Sequence, residues 1–416
     1  MIKRTPADFQ VEEILDTDLL QLTQPSGPFA LYRLQKESLA TPEAIGRIAR
    51  ALGIRSGTLA YAGLKDKHAK TIQHVTLKLD GEQAAPEKST GDGWTLERLG
   101  FVPRSITAAD ISRNRFHITL RNLTQQDSFD LDEAAKLLAC GPETPVGDKS
   151  APATDRRVPA TSLRIVNYFG DQRFGSARHG QGFIARHLIK EDFEGALRLA
   201  IATEARKDRM EQKKIKRLLV ERWGKWSEIL PKLRPCPERK AIERLANSSG
   251  DFRAAFCALP YLLQQLSVYA YQSFLWNGIA RRVIEKMCVP LGKVLAADDP
   301  FGEMLFPSAE ATLPELIPLD IPLLAKKTVL LEPWKDAAEA VLGEEGIAVT
   351  ELEIPGVRRP FFGEEPRALF FTAQDFHLAR AERDESADNP KRLKRSISFA
   401  LPRGCYATVL LRALGQ

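Results

Sequence analysis

Cysteine is scarce and scattered, with five residues in 416 (Cys140, Cys236, Cys257, Cys288, Cys405) and no CxxC pair. An odd, dispersed set argues against a disulfide framework and against a cysteine-built zinc site, and it fits a reducing cytoplasm. No apolar run approaches the ~20 residues that a membrane helix needs, so no membrane association is expected. The opening Met1-Ile2-Lys3-Arg4-Thr5-Pro6 carries basic residues without an apolar core, which predicts no secretory leader. Internal repeats and long low-complexity tracts are lacking too. With 44% hydrophobic residues and this length, two globular domains are expected.

Charge of one sign does not dominate either: the net charge is +6 and the pI about 9.0. Local clustering is more informative. Arg206, Lys207, Arg209, Lys213, Lys214, Lys216, Arg217, Arg222 and Lys225 crowd one stretch beside Trp223 and Trp226, and Lys391, Arg392, Lys394 and Arg395 form a second knot. Glu204, Asp208, Glu211 and Glu221 dilute the first cluster, as on a solvated helix face. Together, however, the two clusters point to a surface that tracks phosphates.

What is present is strand texture at both ends and helical texture between. Phe9 and Val11 alternate with polar neighbours, and Phe29 to Lys36 reads as a second strand. Thr41 is a fitting N-cap before Pro42, with Ile45, Ile48 and Leu52 on one face and Gly53 as the stop. Strands are predicted over 71–79 and 115–122, a loop over 84–94, a helix over 131–140 and a linker over 141–159. A long amphipathic helix is predicted over 262–287 and a closing strand over 406–411. The pattern suggests one sheet domain interrupted by another.

Three segments could carry chemistry. Gly63 to Gln73 sets Asp66 among Lys65, Lys67, His68 and Lys70, cations that would keep a nucleophile or base ionised. A polar turn explains the same composition, and a metal site of Asp66, His68 and His74 is disfavoured by the lysines. Asn167 to Gly175 packs Tyr168, Phe169 and Phe174 around Arg173, either to stack on bases or as a turn with buried aromatics. Asn114, just before the Phe116 strand, could bond a base edge or simply serve the turn.

Gly63-Leu64-Lys65-Asp66-Lys67-His68-Ala69-Lys70-Thr71-Ile72-Gln73 resembles the G-x-K-D-x-x-A-x-T-x-Q motif of TruD-type pseudouridine synthases. Lys3…Pro6 to Glu12, Asn114-Arg115-Phe116, Asn167 to Gly175 and Ser398 to Thr408 resemble the family's other blocks in order. The chain departs from the pattern at Leu163-Arg164-Ile165-Val166, where relatives often carry Gly-Val-Pro. The resemblance implies an α+β pseudouridine-synthase fold with a mixed, largely antiparallel sheet, interrupted by a TruD-specific insertion domain. Its boundaries would be 1–158 and 366–416 for the catalytic domain and 159–365 for the insertion. It implies a cofactor-free, metal-free isomerisation of uridine in tRNA, at uridine 13 of the D-arm in bacterial members, by a cytoplasmic monomer. Asp66 would be the catalytic carboxylate and Lys3 its cationic partner. Phe9 would stack on the base, Asn114 bond it, and Phe116 and Tyr406 wall the pocket. The rival classes are an inactive RNA chaperone of the same fold and a metal-dependent nuclease.

Overall fold

The computed structural model describes residues 4–16, 18–19, 23–79, 85–142, 161–175, 181–204, 208, 210–248 and 250–416. The chain forms two compact units: Met1–Ile165 together with Phe371–Gln416, and Val166–Phe370.

The first unit is built on a twelve-stranded sheet. Its strands are β1 (Phe9–Leu15), β2 (Phe29–Glu37), β3 (Leu59–Tyr61), β4 (Lys70–Lys78), β5 (Lys88–Gly91), β6 (Trp94–Val102), β7 (Ile111–Leu123), β8 (Ala139–Pro142), β9 (Thr161–Val166), β10 (Phe370–Leu378), β11 (Glu382–Arg383) and β12 (Leu393–Pro402). The order is β5-β6-β2-β4-β1-β7-β12-β10-β9-β8, with β3 on β4 and β11 on β12. Here β1 is parallel to β4, while β1–β7, β7–β12, β2–β4 and β2–β6 are antiparallel. The sheet is therefore mixed and largely antiparallel. Helix α1 (Thr41–Ala51) buries Ala44, Ile45, Ile48 and Ala49 in a cluster with Tyr32, Leu34, Val75, Leu77 and Leu96, because successive strand residues alternate faces and these fall on one.

Four local expectations change. The N-cap of α1 is Ala40, and Thr41 is already helical, which frees its hydroxyl for other partners. The expected loop at 84–94 contains β5, joined to β6 by an Asp92-Gly93 turn in which Gly93 takes φ +77°. That turn chemistry was the overlooked signal, since a left-handed residue favours glycine. The helix expected at 131–140 is α2 (Gln125–Leu138), capped by Thr124 accepting from the Asp127 amide. The closing strand expected at 406–411 is helix α3 (Ala407–Ala413). Val409, Leu410 and Leu411 are all buried, and a run apolar on every side has no period to tell helix from strand.

The second unit centres on the helix Tyr261–Met287, which buries Tyr271, Leu275, Trp276 and Ile279. Tyr168, Phe169 and Phe174 of the Asn167–Gly175 segment belong to this core, while Asp171, Gln172 and Gly175 are exposed. Tyr168 is fully buried against Trp276 and Phe306, Phe169 against Trp276, and Arg367 lies 3.8 Å over the Phe169 ring while bonding Asn167. Its aromatics are packing groups, and none is free to stack on a base.

Candidate active site

Register places Phe9, Asn114 and Phe116 on one face of the sheet. In antiparallel pairs, directly opposed residues share a face. Phe9 opposes Ile118, Val11 opposes Phe116, and Glu13 opposes Asn114, while β12 continues these rows with Ile397, Phe399 and Leu401. The aromatic row is continuous. Phe9 meets Phe116 edge-on at 6.1 Å, Phe116 stacks on Phe399 at 5.3 Å, and Phe399 stacks on Phe376 at 6.5 Å. Phe9 and Phe116 are only 6% and 9% exposed, so they form a firm floor with a narrow accessible edge. Lys36 on β2 and Thr71 on β4 are paired and turned to the same face.

The Asp66 loop, 62–69, is fastened by side chains from three strands and a helix. The Lys36 ammonium donates to the carbonyl of Leu39 at 2.7 Å and to that of Asp66 at 3.1 Å. Thr41 accepts from the Lys65 amide at 3.0 Å and donates to Gln73 at 2.9 Å. Lys65 pairs with Glu13 at 2.9 Å and donates to Asn114 Oδ1 at 2.7 Å, while the other Glu13 oxygen accepts the His74 amide at 2.9 Å. Lys67 reaches Glu43 at 3.4 Å. Asp66 is exposed on this pinned backbone, with Lys36 beneath it. A Cβ at Gly63 would meet nothing within 4 Å and Gly63 is not left-handed, so neither a strained turn nor protein packing demands that glycine.

The electrostatics are those of buried cations. Burial pushes Lys36 down to about 8, partly opposed by the attraction of Asp66 and assisted by Lys65. His74, buried and near Arg33 and Lys65, is pushed down to about 4 and stays neutral. Among the described residues Thr71 Oγ1, Gln73 Nε2 and His74 Nδ1 are buried without a hydrogen-bond partner. Each such group costs about 1–3 kcal/mol, so β4 directly after the loop carries concentrated polar expense.

Of the expected site residues, Asn114 is thus tied to the Asp66 loop through Lys65, and Phe9 and Phe116 lie on the same face. Tyr406 is partly buried in extended conformation just before α3. Lys3 lies outside the described residues. The segment that follows it is anchored by buried Asp8, whose carboxylate pairs with Arg121 at 2.9 Å; Arg121 also pairs with buried Asp384 at 2.9 Å. Lys36 and Glu13 escaped sequence reasoning, which read Thr41 only as a helix cap and Lys65 only as a cation beside Asp66. The signal for the first two was present: Lys36 follows Tyr32 and Leu34, and Glu13 follows Phe9 and Val11, as charges at inward positions of alternating strands. Asp66 and His68 are exposed, whereas His74 is buried, and no group of three or more His, Cys, Asp or Glu among the described residues is placed to hold a metal ion. A groove of about 440 Å³ lined by Gln10, His117, His377 and Ser398 involves none of the candidates.

The basic clusters are substantially neutralised. Lys216 is buried with Asp208, Arg217 pairs with Glu204, Lys214 with Glu211, and Arg222 and Lys225 with Glu228. Lys394 pairs with Glu382 and Glu385, and buried Arg395 with Asp132. Arg206, Lys207 and Arg209 lie outside the described residues. Trp226 is buried, and Trp223 is held by Arg198 and Phe252.

The model of the family tRNA pseudouridine synthase D (TruD) matches residues 1–300. A protein of Aquifex aeolicus named "tRNA pseudouridine synthase D" is 29% identical, over 99% of this chain and 97% of its own. One of Methanococcus maripaludis named "Probable tRNA pseudouridine synthase D 1" is 26% identical, over 97% and 96%. A crystal structure from Methanosarcina mazei, assigned to tRNA pseudouridine synthase D (TruD), superposes with a TM-score of 0.70 at 23% identity, covering 99% of this chain and 92% of that one, and so shares the fold. The chain belongs to the TruD family of pseudouridine synthases.

Proposed function

We propose that the protein isomerises a uridine of tRNA to pseudouridine, at uridine 13 of the D-arm, with Asp66 as the catalytic carboxylate. The observation that carries this reading is the exposed Asp66 on a loop whose backbone Lys36 holds and whose neighbour Lys65 bonds Asn114. The reaction breaks the N1–C1′ bond, turns the uracil and joins C5 to C1′; C5 gives up its proton and N1 ends protonated, so atoms and redox state are unchanged. Asp66 serves either as nucleophile at C1′ or as the base that abstracts a proton to give a glycal. Both roles use the ionised carboxylate; the ammonium of Lys36 lies beneath the loop that carries it, and the family resemblance offers Lys3 as a second cationic partner. The detached base must be retained while it turns. Phe9, Phe116 and Tyr406 wall that space, and Asn114 bonds the base. Extracting the nucleotide from its stack costs a few kcal/mol, which contact with those rings offsets in part.

A tRNA substrate, the scattered free cysteines and the absence among the described residues of a helix long and apolar enough to cross a membrane support a cytoplasmic enzyme, and we read it as a monomer. The test is pseudouridine mapping of a tRNA pool treated with the intact enzyme and with Asp66→Asn. Modification at position 13 by the former alone, with RNA binding by both, is expected. Pseudouridine at another position overturns the site assignment. No pseudouridine, or equal formation by Asp66→Asn, overturns the reading itself. Cleaved RNA, abolished by a chelator, would favour the nuclease.

A further inference from the structure

An asparagine amide has two faces of opposite hydrogen-bonding sense, and which face meets a ligand depends on what fixes the other. Here the fixing group is a cation. Lys65 Nζ lies 2.7 Å from Asn114 Oδ1, and an ammonium can only donate, so the amide oxygen must face Lys65 and the NH₂ must face away. Lys65 is itself held by Glu13, whose side chain is 1% exposed and whose second oxygen is occupied by the His74 amide. The chain Glu13–Lys65–Asn114 runs from a buried carboxylate on β1, through the Asp66 loop, to Asn114 on β7, and its last two members are partly exposed.

We infer that Lys65 is a positioning residue that locks Asn114 as a hydrogen-bond donor to O4 of the target base, so that the site accepts uracil and rejects cytosine. This rests on the reading of Asn114 as a base-binding group. At position 4 uracil offers a carbonyl acceptor, whereas cytosine offers an amino donor that would confront the Asn114 NH₂ donor to donor. A donor left facing another donor in a closed site loses its hydrogen bond without solvent to replace it, and that is how polar sites discriminate strongly. Without Lys65 the amide would be free to turn over and present its oxygen, and the preference would vanish although Asn114 itself remained.

The test compares binding of two oligoribonucleotides, AAUAA and AACAA, to full-length protein carrying Asp66→Asn, which removes turnover. Expected is a preference of about tenfold for the U oligomer, the equivalent of one hydrogen bond to a well-placed donor. Adding Lys65→Met should bring the ratio toward one, and adding Asn114→Asp should invert it in favour of cytosine. A Lys65 that merely supported the fold would weaken both oligomers alike and leave the ratio intact. Thermal melts exclude unfolded variants, and Lys65→Arg, which still donates, should restore the preference. Absence of any preference in the parent, or its full retention in Lys65→Met, overturns the inference. The function proposed above is read separately, by pseudouridine formation in tRNA with Asp66 intact, so the two can fail independently.

Discussion

Lys36 shows how one side chain can matter to the site without reaching the substrate. It is 1% exposed, and its ammonium satisfies two carbonyls, one of them that of Asp66. Burial lowers it from 10.5 to about 8. Below pH 8 it is protonated in both folded and unfolded chains, and the full cost of burying its charge is felt. Between about 8 and 10.5 the folded chain sheds the proton while the unfolded chain keeps it, so its share of stability rises with pH. Activity should move the other way, because the cation beneath Asp66 is lost as pH climbs through about 8. A pH–rate profile should therefore fall on that limb, and Lys36→Met should lose the limb along with roughly tenfold or more of kcat, from two unpaired carbonyls and a loosened loop. An unchanged profile in Lys36→Met would refute the role. The inward position of Lys36 was visible in the alternation of β2. Its partner, thirty residues on, was not, because period says which face a residue takes and nothing about what lies across it.

At the scale of elements, the sheet works by bringing distant strands into register. Arg121 on β7 bridges Asp8, just before β1, and Asp384 beside β11, and both carboxylates are buried. This clamp fixes the segment that leads from Lys3 into β1. Removing one partner of a buried pair leaves uncompensated charge, so Arg121→Ala should destabilise the protein by about 3–5 kcal/mol in urea unfolding. A loss below about 1 kcal/mol would show the carboxylates re-solvating freely, as for an exposed pair. The elements that strand alternation or helical spacing announced formed within a few residues of expectation: β1, β2, α1 and the Tyr261–Met287 helix. Those without a period misled. Lys88–Gly91 has no apolar alternation, and Val409, Leu410 and Leu411 are buried in succession.

For the whole molecule, the question is where a polyanion would bind. A net charge of +6 and two cationic clusters suggested phosphate-tracking surfaces, yet among the described residues most of those cations already hold carboxylates. Releasing a cation from its ion pair to meet phosphate returns little. The double change Lys214→Glu and Lys225→Glu, at two paired lysines, should therefore alter the slope of log K against log salt for tRNA by less than about one, the change expected when a single phosphate is deprived of its cation. Fluorescence anisotropy at several ionic strengths measures it, and a change of about two, one for each lysine, would restore the cluster as an RNA surface. Lys216 is unsuitable for this test, because reversing a buried cation would report on folding.

The sequence by itself determined the family, the motif around Asp66 and the faces of its periodic strands and helices, because these depend on short-range order along the chain. Only the tertiary structure decided which charges are already held in ion pairs, that the aromatics of Asn167–Gly175 are core, and that Lys65 reaches Asn114 from 49 positions away. Hydrogen bonds between remote residues depend on strand register and loop path. Those are properties of the folded chain that no local pattern contains. The Asp66 loop was legible as a motif, and the contacts by which Lys36, Lys65 and Glu13 hold it became visible only once the strands were laid side by side.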